Sequence, residues 1–108
     1  MVDRIISVTD ENFHCFISKN PYVIVDFGAS WCGFCRALIP TMEMLAEKYR
    51  GKVAFGTINI DGNTQISEHF KIMTIPTLLF FRDGALIDTA INPTSKSFIE
   101  NKIASLIQ

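Results

Sequence analysis

One run of residues constrains the fold more than any other feature: residues 22–27, with the sequence YVIVDF. The run is almost entirely β-branched and aromatic, without alternating polar positions. It therefore predicts a strand buried on both faces, as in the middle of a parallel sheet. Gly28-Ala29-Ser30 ends the strand, and apolar residues at helical spacing follow from about residue 34 to 49. Because both faces of such a strand must be covered, we expect an α/β protein with helices on both sides of a central sheet.

The rest of the chain continues this alternation of strands and helices. Further strands are predicted at four places: residues 5–8, 53–60, 77–81 and 85–87. Further helices are expected to begin at three places: the N-cap signal Thr9-Asp10, Asn63, and residues 93–95. Asp83-Gly84 between the last two strands indicates an antiparallel hairpin, whereas strands separated by helices should be parallel. The sequence thus predicts one domain over residues 1–108, with a mixed five-stranded sheet flanked by four helices.

Composition excludes several classes of function. Ten basic and eleven acidic side chains give a net charge of −1, which offers no attraction for nucleic acid or an anionic membrane. No apolar stretch approaches the ~20 residues that span a bilayer. The first residues lack the apolar run and cleavage site of a secretory signal. We expect a cytoplasmic monomer that binds neither nucleic acid nor membranes.

The chemistry is indicated by Cys32-Gly33-Phe34-Cys35, which falls where the buried strand passes into a helix. Free N–H groups and the positive dipole end of a helix N-terminus stabilise a thiolate, the reactive form of cysteine. Cys35 would follow one turn later, within bridging reach. We expect Cys32 to be exposed and to attack other disulfides, and Cys35 to be shielded and to resolve the mixed disulfide.

A metal site is the main alternative for a Cys-x-x-Cys pair, since two cysteines can supply half of a zinc or iron–sulfur site. The remaining ligands would have to be Cys15, His14 and His69, which show no paired metal-binding spacing. We therefore predict no metal and a redox role for the pair. Cys15, among the apolar residues of the first helix, is expected to be a partly buried bystander.

The segment Trp31-Cys32-Gly33-Phe34-Cys35-Arg36 resembles the active-site motif of the thioredoxin family. The resemblance covers nearly the whole chain and includes Val25-Asp26-Phe27, Pro40, Asn59-Ile60-Asp61, Ile75-Pro76-Thr77-Leu78 and Asp83-Gly84. It implies the thioredoxin fold and reduction of disulfides in protein substrates. It also implies no bound cofactor, and recycling by an NADPH-dependent flavoprotein reductase or a ferredoxin-linked one.

The resemblance also implies roles for individual residues. Asp26 would lie beneath Cys35 as its proton acceptor and donor, and its position in an apolar strand should raise its pKa. Pro76 would follow a cis peptide bond and turn the backbone of Ile75 outward, so that it can pair with an extended substrate. The expected docking surface is mostly apolar and comprises Trp31, Gly33, Phe34, Ile60, Ile75, Pro76 and Asn92.

Five positions depart from the family pattern. Phe34 replaces a proline and restores an N–H near the Cys32 sulfur, which should stabilise the reduced dithiol and make the protein less reducing. Gly28 replaces a tryptophan, which could loosen the loop or open a pocket, and Thr57 replaces a lysine near Asp26. Asn92-Pro93 replaces Gly-Ala in the docking rim. Two other functions stay open from sequence: a disulfide oxidase or isomerase of the same fold, and a redox-inert interaction module.

Overall fold

A computed structural model gives the fold of residues 5–108; residues 1–4, part of the predicted domain and N-terminal segment, lie outside the described residues. The described strands and helices follow the order predicted from the sequence. In chain order they are β1 (Ile5–Val8), α1 (Phe13–Lys19), β2 (Tyr22–Gly28), α2 (Gly33–Lys48), β3 (Ala54–Asn59), α3 (Thr64–His69), β4 (Thr77–Arg82), β5 (Ala85–Ile91) and α4 (Lys96–Leu106).

The five strands form one mixed sheet with the order β1-β3-β2-β4-β5. Strands β1 and β2 run parallel to β3, while β4 is antiparallel to both β2 and β5. The prediction of a mixed five-stranded sheet with four helices is confirmed. Strand β2 lies at the centre, with residues 23–27 all buried.

Alternate side chains of β2 enter two separate cores. Val23, Val25 and Phe27 pack with α1 and α3 on one face of the sheet. Ile24 packs on the other face with α2 and α4. Since successive side chains of a strand point to opposite faces, Asp26 lies on the same face as Ile24, beneath α2. The fold thus directs the one carboxyl group of β2 towards the helix that carries the cysteines.

The two predicted helix caps are only partly confirmed. Helix α1 begins at Phe13, later than the signal Thr9-Asp10 suggests, but Thr9 caps the turn that precedes it. Its Oγ1 accepts the N–H of Asn12 at 3.2 Å, its own N–H donates to Asn12 Oδ1 at 2.8 Å, and its carbonyl oxygen accepts the N–H of Phe13 at 3.0 Å. Asp10 caps α3 from a distant loop, because its carboxylate accepts the N–H groups of Gln65 and Ile66. Asn63, the expected cap of α3, occupies the N-cap position without a side-chain capping bond and accepts the N–H of Asp10.

Strand β5 is also longer than predicted. It extends to Ile91 rather than ending at residue 87, because it pairs with the whole length of β4. The polar residues Asp88 and Thr89 hid this continuation in the sequence. The longer strand places Ile91 and Asn92 opposite the start of β4, next to Pro76.

Candidate active site

Cys32 occupies the N-cap position of α2. Its backbone is extended (φ −91°, ψ 115°), and its Sγ accepts the N–H of Cys35 at 3.2 Å. An N-cap side chain that accepts this N–H satisfies one of the free donors of the first helical turn. Both cysteines are free thiols here. The strand–helix junction therefore brings the two sulfur-bearing residues together, with the Cys35 N–H directed at the Cys32 sulfur.

The expected exposure of Cys32 is wrong, since Cys32 and Cys35 are each only 7% exposed. The two cysteines form a small apolar cluster with Ala29, against which Ile60 and Ile75 pack. Neighbouring loops therefore cover both residues. The pKa of the Cys35 thiol is raised to about 11, mainly by burial. The hydrogen bond to Cys32 and the charges of Cys32 and Asp26 contribute to this rise, and a backbone hydrogen bond to Ala29 opposes it.

Asp26 is buried, with 8% of its surface exposed. Its Oδ1 has no hydrogen-bond partner among the described residues. Its register neighbours are Thr57 on β3 and Leu78 on β4, so neither adjacent strand offers it a cation. Burial raises the pKa of Asp26 from 3.8 to about 7, which confirms the predicted direction.

A cavity of about 240 Å³ lies beside the two groups and is lined by both Asp26 and Cys35. Gly28 forms part of its wall, as expected if the small residue opens a pocket. A Cβ atom at Gly28 would lie 3.2 Å from Cys35 Sγ, which is a tight contact. Arg36 also lines the cavity, and its Nη1 donates to the carbonyl oxygen of Ser30 at 2.8 Å. Arg36 was not among the site residues predicted from the sequence.

The peptide bond between Ile75 and Pro76 is cis, as predicted. Pro76 is buried, and its carbonyl oxygen accepts the N–H of Asn92 at 2.7 Å. Ile75 is half-buried against the cysteine cluster. Among the described residues, neither the N–H nor the C=O of Ile75 joins a backbone hydrogen bond. The loop therefore offers an unpaired backbone donor and acceptor beside the dithiol.

The predicted docking residues differ in exposure. Trp31 and Phe34 are 64% and 69% exposed, and Gly33 and Asn92 are also exposed. Ile60 and Ile75 are half-buried, and Pro76 is buried. The Trp31 ring is held by a 2.7 Å hydrogen bond from its Nε1 to Asp61.

Ile91 was not predicted to be part of the docking surface, but it is 65% exposed and lies beside Asn92. Its signal was hidden because β5 was predicted to end at residue 87. Cys15, predicted to be partly buried, is exposed, because it lies on the outer side of α1 while Phe13 and Ile17 face the core.

Comparison with known proteins identifies the family. The family model described as Thioredoxin matches residues 4–105. The chain belongs to the thioredoxin family. It is 37% identical to a thioredoxin of Alicyclobacillus acidocaldarius subsp. acidocaldarius over 102 residues, covering 94% of this chain and 97% of that one. It is 41% identical to a thioredoxin of Chlamydia pneumoniae over 96 residues, covering 89% and 92%.

Solved structures give the same assignment. A mutant thioredoxin from Halobacterium salinarum NRC-1 superposes with a TM-score of 0.89 at 26% identity, covering 100% of this chain and 96% of that one. As a thioredoxin-family member, the chain is a thiol–disulfide oxidoreductase that acts on protein disulfides and depends on a reductase partner. None of the helices within residues 5–108 has the length and apolar character needed to cross a bilayer.

Proposed function

We propose that Cys32 is the attacking cysteine, Cys35 the resolving cysteine and Asp26 the proton acceptor in the reduction of protein disulfides. The observation that carries this assignment is the 3.2 Å hydrogen bond from the Cys35 N–H to Cys32 Sγ at the start of α2. Hydrogen bonding to a sulfur favours its thiolate form, and Cys32 is the sulfur that receives it.

The proposed reaction has two displacement steps. The Cys32 thiolate attacks one sulfur of the substrate disulfide, forming a mixed disulfide and releasing the other sulfur as a thiolate, which takes a proton from solvent. Cys35 then gives its proton to the Asp26 carboxylate and attacks Cys32 Sγ. The second substrate sulfur leaves as a thiolate, which takes a proton from solvent, and a Cys32–Cys35 disulfide remains. The substrate gains two electrons and the dithiol loses two.

The substrate segment would lie beside the cis peptide bond. The unpaired N–H and C=O of Ile75 can bind an extended chain in the manner of an added strand. The exposed aromatic rings of Trp31 and Phe34 supply apolar contact area next to the dithiol. Together with Gly33, Ile60, Pro76 and Asn92, these residues form the proposed docking surface.

The oxidised protein must be reduced again to act as a catalyst. We propose a monomer in the cytoplasm, recycled by an NADPH-dependent flavoprotein reductase or a ferredoxin-linked one. The free, exposed Cys15 supports a reducing compartment, where such thiols persist. The balanced net charge of −1 supports docking through apolar rather than charged contacts.

An insulin-reduction assay with dithiothreitol tests the assignment. The variant Cys32→Ser should lose activity, and Cys35→Ser should accumulate a mixed disulfide that dithiothreitol releases. The matched control is Cys15→Ser, which removes an exposed thiol outside the site and should remain active. Full function in a Cys32→Ser, Cys35→Ser double variant would instead support a redox-inert interaction module.

One observation favours a second direction of reaction. Phe34 lies in the first turn of α2, where its N–H is an additional donor that a proline lacks. If this donor stabilises the reduced dithiol strongly enough, the protein would oxidise or isomerise substrates instead of reducing them. Equilibration with glutathione of known redox state separates the two functions.

A further inference from the structure

The cavity beside Gly28 connects three features that matter for the proposed second step. It is lined by Asp26, whose Oδ1 has no partner, by Cys35, and by polar residues of β1 and β3, namely Ser7, Thr57 and Asn59. Its volume of about 240 Å³ is well above the ~30 Å³ that one water molecule takes up in the liquid, so it has room for water. Buried waters are typically bound where a buried polar atom lacks a protein partner. The cavity is therefore suited to hold water next to the carboxyl group and the sulfur.

Gly28 controls how far this cavity reaches towards Cys35. It lies two residues after Asp26 on β2, so a side chain there would project to the same face of the sheet. That side chain would begin 3.2 Å from Cys35 Sγ and 3.3 Å from Cys35 Cβ. The backbone of Gly28 is not in the left-handed region, so its conformation does not require glycine. What glycine provides at this position is space beside the sulfur.

We propose that Gly28 is a positioning residue that keeps a water-filled passage open between Cys35, Asp26 and solvent. The passage lets the proton taken from Cys35 reach the Asp26 carboxylate and then leave to solvent. This inference rests on the proposed function and adds a residue that acts on the resolving step alone. Gly28 would have no part in the attack by Cys32.

The charged and titratable side chains that line the cavities around Asp26 all belong to helix α2. Helix α2 contributes Cys35 and Arg36 to the cavity, and Glu43 lines a second cavity that also reaches Asp26. Within the described residues, β1 and β3 supply only neutral groups to these cavities, and the β4 neighbour is Leu78.

Stopped-flow reaction of the reduced protein with an aromatic disulfide that releases a coloured thiolate separates the two steps. Attack by Cys32 releases the first thiolate, and resolution by Cys35 releases the second. All variants carry Cys15→Ser, because the exposed Cys15 would react as well. We expect Gly28→Ala to slow the second phase by about 10-fold, part of what positioned proton transfer contributes, and to leave the first phase within 2-fold of its original rate. In an Asp26→Asn background, Gly28→Ala should have no further effect.

A second variant changes another residue that lines the cavity, Thr57 on β3. Thr57→Val removes a hydroxyl group without a large change in volume, and it should also slow only the second phase, again not in the Asp26→Asn background. Thr57→Val therefore still tests the proposal if Gly28→Ala does not fold. The pH profile of the second phase should move to higher pH in Gly28→Ala, because loss of water further disfavours the Asp26 carboxylate.

The outcomes separate this inference from the proposed function. If Cys35→Ser retains the second phase, or Asp26→Asn leaves its rate unchanged, the proposed roles are wrong. If those variants behave as proposed but Gly28→Ala leaves the second phase unchanged, slows both phases equally or slows the Asp26→Asn protein as well, the passage is refuted.

Discussion

The buried carboxyl group of Asp26 should lower the stability of the protein at neutral pH. Its pKa is raised from 3.8 to about 7 by burial. This rise of about three pH units corresponds to about 4 kcal/mol, since one unit is 1.36 kcal/mol. Because the pKa is higher in the folded state, the native protein binds the proton more tightly than the unfolded chain. The proton on Asp26 therefore makes its full contribution to the free energy of unfolding below pH 3.8. This contribution falls as the pH rises and is lost above about pH 7.

The change that isolates this effect is Asp26→Asn, measured by urea unfolding of the reduced protein from pH 4 to pH 8. We expect the variant to be more stable by up to about 4 kcal/mol at pH 8 and nearly unchanged at pH 4, with the difference growing by about 1.4 kcal/mol per unit between. The control is Glu68→Gln at an exposed position of α3, expected to stay within about 0.5 kcal/mol throughout. A difference for Asp26→Asn that does not change with pH would refute the reasoning.

Three further predictions concern packing, capping and redox potential. Gly56→Ala would place a methyl group 2.6 Å from Val8 Cγ2 and 2.8 Å from Phe16 Cε2, and should lower the free energy of unfolding by about 1–3 kcal/mol in a urea titration. Ser95→Ala removes an N-cap bond of 3.0 Å at α4 and should cost about 1 kcal/mol in the same assay. Phe34→Pro removes an N–H from the first turn of α2 and should make the protein more reducing when equilibrated with glutathione.

Each of these predictions has a matched control or a contrary result. Gly33→Ala adds a methyl group whose nearest neighbour is 3.8 Å away, so it should not lower stability as Gly56→Ala does. Ser105→Ala, at an exposed position within α4, should be neutral or slightly stabilising because alanine favours helices. A cost at these sites equal to that at Gly56 or Ser95 would contradict the packing and capping arguments. An unchanged or higher redox potential in Phe34→Pro would contradict the role given to its N–H.

The sequence predicted the sheet and helices because their signals are local. The apolar run of residues 22–27 and the hairpin signal Asp83-Gly84 each depend on neighbouring residues. The cap of α3 was not predictable in this way, because Asp10 reaches it from more than fifty residues earlier. The burial of Cys32 was also missed, since it depends on Ile60 and Ile75 from two other loops. Exposure at a helix N-terminus is decided by tertiary packing, which the motif does not encode.

The position of the cysteine pair was predictable because it, too, depends on local sequence. The cysteine pair lies within one turn of one helix, so its geometry follows from the helix itself. The environment of Asp26 required the register of three strands, which places Thr57 and Leu78 beside it. The close approach of Gly28 to Cys35 likewise joins the end of a strand to a helix, and only the folded structure shows it.

The proposed order of the two cysteine reactions agrees with the causes of the high pKa of Cys35. Burial is the largest cause, but the hydrogen bond to Cys32 and the charge of Cys32 also raise it. Transfer of a proton from the Cys35 thiol, whose pKa is about 11, to the Asp26 carboxylate, whose pKa is about 7, is unfavourable while Cys32 is free. A mixed disulfide at Cys32 would carry no charge on that sulfur, so one of the causes that raise the pKa of Cys35 would be absent. In the proposed reaction, Cys35 would therefore become easier to deprotonate after Cys32 has reacted, at the stage when the Asp26 carboxylate would take its proton.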